Sequence, residues 1–170
     1  MENQAASSAS RAGESLLDEL QTTLQGEIPI SAQMGMRVRG NGPEGLVVSM
    51  PLDQNRNHQQ TAFAGSLNAL CTIAGWSATY VLLRALNLDG NIVIRRSSIR
   101  YHEPVTSDDV VARCQPISTE ARDYFLEMLE EKGQAKLDLT VEIPGAGQQT
   151  AVTFQGSYVV TNGPEPPRTP

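Results

Sequence analysis

From Asn57 to Leu83 the chain runs for 27 residues without an Asp, Glu, Lys or Arg, between Arg56 and Arg84. Leu67, Leu70, Ile73, Ala74, Trp76, Val81 and Leu82 fall on nearly every side of a helix placed from about Gly65 to Leu86. A helix that is apolar all round has no face to offer water and must be buried. Its length approaches that of a membrane span. Ser66, Asn68, Thr72, Ser77 and Thr79 interrupt it, however, and the rest of the chain is amphipathic. The expectation is therefore the core helix of a soluble protein. Whatever else the chain forms has to enclose this rod.

The flanking segments supply the means. Leu16, Leu17, Leu20 and Leu24 recur at helical spacing, with Ser15 placed to cap a helix that ends near Gln25, and Pro29 opens a short turn through Met34. Met36 to Arg39 and Leu46 to Leu52 read as strands around a Gly-rich turn at residues 40–45. After the long helix, Asn91 to His102 and Val110 to Cys114 read as strands. Ala121, Phe125, Met128 and Leu129 form a helical stripe over Thr119 to Lys132, with Glu120 near its start and Gly133 at its end. Lys136 to Ile143 alternates apolar and polar, and Ala151 to Val160 follows a turn at residues 144–147. A helix of about 22 residues spans roughly 33 Å, and a strand of about 12 reaches roughly 40 Å. Strands that long must twist and curl. The economical arrangement is α+β, a curled antiparallel sheet wrapped round one long buried helix.

With 170 residues the chain is one domain's worth. Residues 1–13 predict a disordered lead without a signal-peptide pattern, residues 14–161 the folded domain, and residues 162–170 a disordered Pro-rich tail. Thirteen basic residues against 19 acidic ones give a formal charge of −6, which argues against nucleic-acid and anionic-membrane partners. Two cysteines 43 positions apart, with no CxxC pair, form neither a zinc signature nor a disulfide framework. They fit a reducing cytoplasm, and the sequence calls for no cofactor or metal.

The run Asn57-His58-Gln59-Gln60-Thr61-Ala62-Phe63-Ala64-Gly65-Ser66, with Ala74-Gly75-Trp76 inside the helix and Ile99-Arg100-Tyr101 before Pro104-Val105, carries a more specific signal. It resembles the hotdog fold, and within it the thioesterase domain found C-terminal to an acetyltransferase in some bacterial proteins and also found alone. The resemblance runs from about Ile28 to Thr161. It implies a homodimer whose sheets join edge to edge, commonly paired again into a homotetramer. It also implies an acyl-thioester site between subunits, for acyl-CoA or an acyl carrier, with the acyl chain along the buried helix.

Thioester hydrolysis needs donors for the carbonyl oxygen, a positioned water and a base. The start of a buried helix offers free N–H groups and partial positive charge, so the amides of Gly65 and Ser66 are candidate oxyanion donors. Gly65 equally serves close packing of loop on helix. His58 is the candidate general base, since imidazole titrates near neutrality, and Asn57 is placed to orient a water or the carbonyl. Both also fit a solvated loop bonded to its own backbone. Thr61, Phe63, Asn68 and Thr72 are candidate substrate-binding residues.

Many hotdog thioesterases carry an Asp or Glu about two turns into the long helix. Here those positions hold Asn68, Cys71 and Thr72, so that mechanism does not carry over. Cys71 reads as a buried hydrophobe rather than a nucleophile. Glu103, Asp108, Asp109 and His102 read as turn and strand-end residues. Arg96 and Arg100 share one face of their strand and Arg95 the other, with Asp138 or Glu142 as expected ion-pair partners and the phosphates of coenzyme A as the alternative. The functional expectation is an acyl-CoA or acyl-carrier thioesterase. A non-catalytic acyl-thioester binding module is the alternative, and a dehydratase or hydratase ranks third.

Overall fold

The computed structural model describes the backbone of residues 2–147 and 149–162, with side chains from residue 13 onward. In chain order the elements are α1 (Glu2–Glu27), α2 (Pro29–Gln33), β1 (Arg37–Gly42), β2 (Gly45–Pro51), α3 (Ala64–Ala85), β3 (Asn91–Tyr101), β4 (Asp109–Cys114), α4 (Thr119–Lys132), β5 (Gln134–Pro144) and β6 (Thr150–Thr161). The strands form one sheet in the order β1-β2-β4-β5-β6-β3, every neighbouring pair antiparallel.

The uncharged stretch forms α3, as its composition requires. The helix packs against β2, β3, β4, β5 and β6, and α1 lies against it as well. Leu70, Cys71 and Ala74 have no exposed surface, nor do Val141, Phe154 and Tyr158 from the sheet. Although α3 has the length and hydropathy of a membrane span, most of it is buried inside the fold. Leu20 and Leu24 of α1 are fully buried, so a second helix adds to the cover. There Tyr80 of α3 donates to Glu19 Oε1 (2.6 Å) and stacks on Trp76 at 5.3 Å between ring centroids.

One contact fixes how closely helix and sheet approach. The Tyr158 hydroxyl donates to the Thr72 carbonyl (2.8 Å), and its ring occupies the space where a side chain at Gly75 would begin. The Ala-Gly-Trp triplet is thus a notch in α3 for a phenol from β6.

A bulge sets the faces of β3. Ile92 and Ile94 lie opposite Val160 and Tyr158; after a register shift, Ile99 and Tyr101 lie opposite Phe154 and Val152. Even-numbered residues face the core before Arg95 and odd-numbered ones after it, because the extra residue changes the parity of the strand. Arg96, Ser98 and Arg100 therefore share the outer face, opposite Ser157, Gln155 and Thr153, and Arg95 is the bulged residue itself.

Three expectations are revised. α1 begins at Glu2 rather than near Ser15, so residues placed in the lead are helical. Ala5, Ala6, Ala9 and Ala12, with no Gly before Gly13 and no Pro before Pro29, favour a helix without any apolar stripe. The β1–β2 turn narrows to Pro43-Glu44, since Gly42 pairs with Gly45. Gly45 has φ 93°, and a Cβ there would strike the Cys114 carbonyl of β4. No described side chain forms an ion pair with Arg95, Arg96 or Arg100; Asp138 takes Lys136 Nζ instead (2.7 Å). Asp138 and Glu142 lie two strands from β3, about 10 Å at ordinary strand spacing. Of the expected tail, Asn162 donates its N–H to Gly133 O (2.8 Å), and residues 163–170 lie outside the described residues. α4 follows expectation: Ser118 Oγ accepts from Ala121 N (3.2 Å), and Gly133 closes the helix at φ 64°.

Gly75→Ala should force the rigid, buried Tyr158 ring away from α3 and cost about 1–3 kcal/mol. Tyr158→Phe should cost about 1 kcal/mol, because Thr72 O keeps its helical partner. Urea unfolding of the two variants should rank them in that order.

Candidate active site

A short loop delivers the chain to the start of α3, and Asn55 anchors it. The buried Asn55 side chain donates to Met34 O (2.9 Å) and Pro51 O (2.8 Å), while the Asn55 backbone carbonyl accepts from Phe63 N (2.7 Å). Arg56 and Ala62 form an antiparallel bridge, and Ala62 N donates to Val105 O (2.8 Å). Above the bridge Asn57 closes a miniature hairpin. Its Oδ1 accepts from Gln59 N (2.8 Å) and Thr61 N (3.2 Å), its Nδ2 donates to Thr61 Oγ1 (2.9 Å), and its N–H donates to Thr61 O (2.8 Å). Gln60 completes the reversal at φ 64°.

The two catalytic candidates of the Asn-His pair therefore have different placements. Asn57 and Thr61 are bonded to each other and shape the loop. His58 is exposed at the tip, with no hydrogen bond to a described residue. Thr61 and Ala64, three residues apart, are separated by up to about 10 Å of extended chain. Among the described residues no hydrogen bond joins the hairpin tip to Gly65 or Ser66.

The helix start itself is bare. Phe63 holds the N-cap position, where Ser, Thr, Asp or Asn would ordinarily accept from the first turn. Its carbonyl accepts from Leu67 N (3.0 Å), but among the described residues nothing accepts from the N–H groups of Ala64, Gly65 and Ser66. Ala64 and Gly65 are exposed and Ser66 is half-buried. The Phe63 side chain is 54% exposed, and its ring edge lies where a Cβ on Gly65 would stand. Glycine is thus required for the ring to fold back over the helix start.

Tyr101, at the end of β3, completes this corner. Its hydroxyl donates to Ala64 O (3.0 Å). Burial first, and then the neighbouring Cys71 thiol, push the phenol's pKa up, so it remains a protonated donor. The sequence marks Ile99-Arg100-Tyr101 as a strand and as part of the family resemblance but gives Tyr101 no role; which strand end meets the helix start is a tertiary fact. Asn68 is exposed, with its amide unbonded to described residues, and Thr72 is half-buried one turn further on the same face.

The other candidates are occupied elsewhere. Glu103 Oε1 accepts from Ala146 N (2.9 Å), Asp109 pairs with Arg39 (3.1 Å), and His102 Nε2 shares a hydrogen bond with Thr153 Oγ1 (3.1 Å). Among the described residues no three His, Cys, Asp or Glu side chains converge as a metal site. Burial first, and for Cys71 also the proximity of Cys114, push both thiols up to about 12. Neither is a nucleophile near neutral pH.

Solved structures share this architecture. A protein of unknown function from Chlorobaculum tepidum superposes with TM-score 0.85 at 26% identity, over 89% of this chain and 97% of that one. A protein described as a putative thioesterase from Shewanella oneidensis gives 0.77 at 30% identity, over 87% and 99%. A thioesterase from Haemophilus influenzae gives 0.63 at 17% identity, over 85% and 90%, and shares the fold. The curled sheet around a central helix is the hotdog fold of thioesterases. The chain belongs to the family described as "Putative thioesterase (yiiD_Cterm)", which matches residues 17–162.

Both cysteines should stay unreactive towards a thiol reagent at pH 8 and titrate fully on unfolding. Their folded values near 12, against an ordinary 9.0, give stability that is complete below about pH 9 and lost as pH rises through 12. Urea midpoints measured at pH 8 and pH 10.5 should fall in that direction, and by less in Cys71→Ala.

Proposed function

We propose that the chain is an acyl-CoA or acyl-carrier thioesterase, acting on short or medium acyl groups at the N-terminus of α3. The observation that carries this reading is the uncapped helix start: three unspent amides and no capping side chain, with the half-exposed Phe63 ring lying against Gly65 where a ligand would displace it. A thioester carbonyl set against Gly65 and Ser66 N–H would gain donors already oriented for the oxyanion of the tetrahedral intermediate. Tyr101 holds this turn in place through Ala64 O. Water attacks the carbonyl carbon, the oxyanion collapses, and the thiolate leaves with a proton.

His58 is the proposed base for that water, and Asn57 fixes the hairpin that presents it. Because His58 is exposed and bonds to no described residue of its own chain, its imidazole is free to serve the site of a second copy. β3 is an exposed edge of the sheet, and joining it to β3 of another copy gives a homodimer with the site at the seam, which further pairing makes a homotetramer. Asn68 and Thr72 would line the path of the acyl chain beyond the carbonyl. The buried free thiols suit a reducing cytoplasm.

Gly65→Pro tests the donor directly, because proline is tolerated in a first helical turn but lacks the N–H. It should lower kcat for acyl-CoA hydrolysis by about 10²-fold. Gly65→Ala, which keeps the N–H and displaces Phe63, should lose less. His58→Ala should also reduce turnover, with folding unchanged. Acyl-CoA that raises the Tm without any thiol release would instead assign the chain to non-catalytic binding.

A further inference from the structure

The outer face of β3 holds a charge anomaly. In a chain of net charge −6, Arg39, Arg56, Arg84, Arg113 and Arg122 each hold a carboxylate. Arg37, Arg95, Arg96 and Arg100 hold none among the described residues; three of these four stand on β3, which contains no acidic residue. The strands beside them are matched to something other than a carboxylate, since Arg96 and Arg100 face Ser157 and Thr153 on β6. The nearby Asp138 is already neutralised by Lys136 and accepts from the Ser157 hydroxyl. Behind Lys136 and Ser157, Arg96 acts on Asp138 only as the smallest of the influences that hold that carboxyl low, and makes no ion pair with it.

A cavity of about 420 Å³ opens beside Arg96, lined also by Ser98, Thr140, Gln155 and Ser157 and, on its far wall, by the Asp138 carboxylate that Lys136 holds. The side chains of Ser98, Thr140 and Gln155 donate to no described residue, so hydroxyl and amide donors converge with a guanidinium. With Asp138 held by Lys136, that is the chemistry of a phosphate site rather than of an apolar ligand. The row is also joined to the helix start. Arg100 precedes Tyr101, whose hydroxyl meets Ala64 O, and Arg96 lies four residues further back, about 13 Å along the strand.

We propose that Arg96 and Arg100, with the polar cavity beside Arg96, bind the phosphates of the coenzyme A nucleotide while the thioester reaches the N-terminus of α3 around the end of β3. This rests on the thioester reading of that helix start and adds to it the carrier. The chain recognises a nucleotide-bearing thiol, and discriminates it from the same acyl group on a shorter thiol, through charge on an edge strand. An acyl carrier protein would bring one phosphate without the adenosine.

The full-length chain and its Arg96→Gln/Arg100→Gln variant should be compared on an acyl-CoA and the matching acyl-pantetheine. The variant should raise KM for acyl-CoA about tenfold or more, leave kcat within about twofold, and leave KM for acyl-pantetheine unchanged. The Arg96→Lys/Arg100→Lys variant should recover much of the loss, and Arg122→Gln on α4 should alter neither substrate. Adenosine 3′,5′-bisphosphate should inhibit the wild type competitively and the Gln variant hardly at all. Absence of that inhibition overturns the nucleotide assignment. Calorimetry with free CoA and pantetheine separates this inference from the activity itself. Wild-type protein that hydrolyses neither thioester but binds CoA at least about tenfold tighter than pantetheine defeats the hydrolase and retains the phosphate site. Equal turnover and equal binding of the two thiols defeat the phosphate site and retain the hydrolase.

Discussion

Burial of a charge-free helix is the constraint from which the rest of the molecule follows. The apolar positions that fall on nearly every side of α3 cannot be left in water, so the sheet must curl and α1 must add cover. A rod enclosed along its length still has two ends. Its last turn is tied down by Arg84, which pairs with Glu19 and Asp89. Its first turn has a phenylalanine where a cap would be. The hydrophobic effect that builds the fold thus also leaves backbone amides unspent: they cannot bond inside the helix and, among the described residues, are not bonded outside it.

Much of this was legible in the sequence because the signals are local. Charge exclusion marked α3, period-two alternation marked β5, and Ser118 and Gly133 bracketed α4. What was not legible depends on contacts between distant segments. Gly75 reads as an ordinary small residue in a helix until Tyr158, more than eighty positions later, is seen to occupy its missing side chain. Arg95 reads as one of three basic residues until pairing with β6 shows it to be the bulge. The early start of α1 was missed for a different reason: alanine propensity leaves no periodic trace for a pattern search to find.

The candidate site was read unevenly, for reasons that are physical. Gly65 and Ser66 were found because a helix N-terminus is a sequence feature. Asn57 and His58 were singled out together, yet the hairpin gives one a bonding role in the loop and the other a place in solvent. Adjacent residues at a tight reversal point in different directions, and nothing in a one-dimensional string says which. Tyr101 and Asn55, which hold the two sides of the helix start, were passed over because their partners are backbone carbonyls that any residue could have supplied.

The parity change in β3 has a consequence for how this chain can vary over evolution. Substitutions on the outer row exchange one surface for another and leave the interior alone. Loss or gain of a single codon near Arg95 would instead turn Ile99 and Tyr101 outward and swing arginines towards Phe154, exchanging core for solvent along half the strand. The strand should be permissive in spelling and strict in length, so that relatives with altered ligand preference arise there by point change and not by indel.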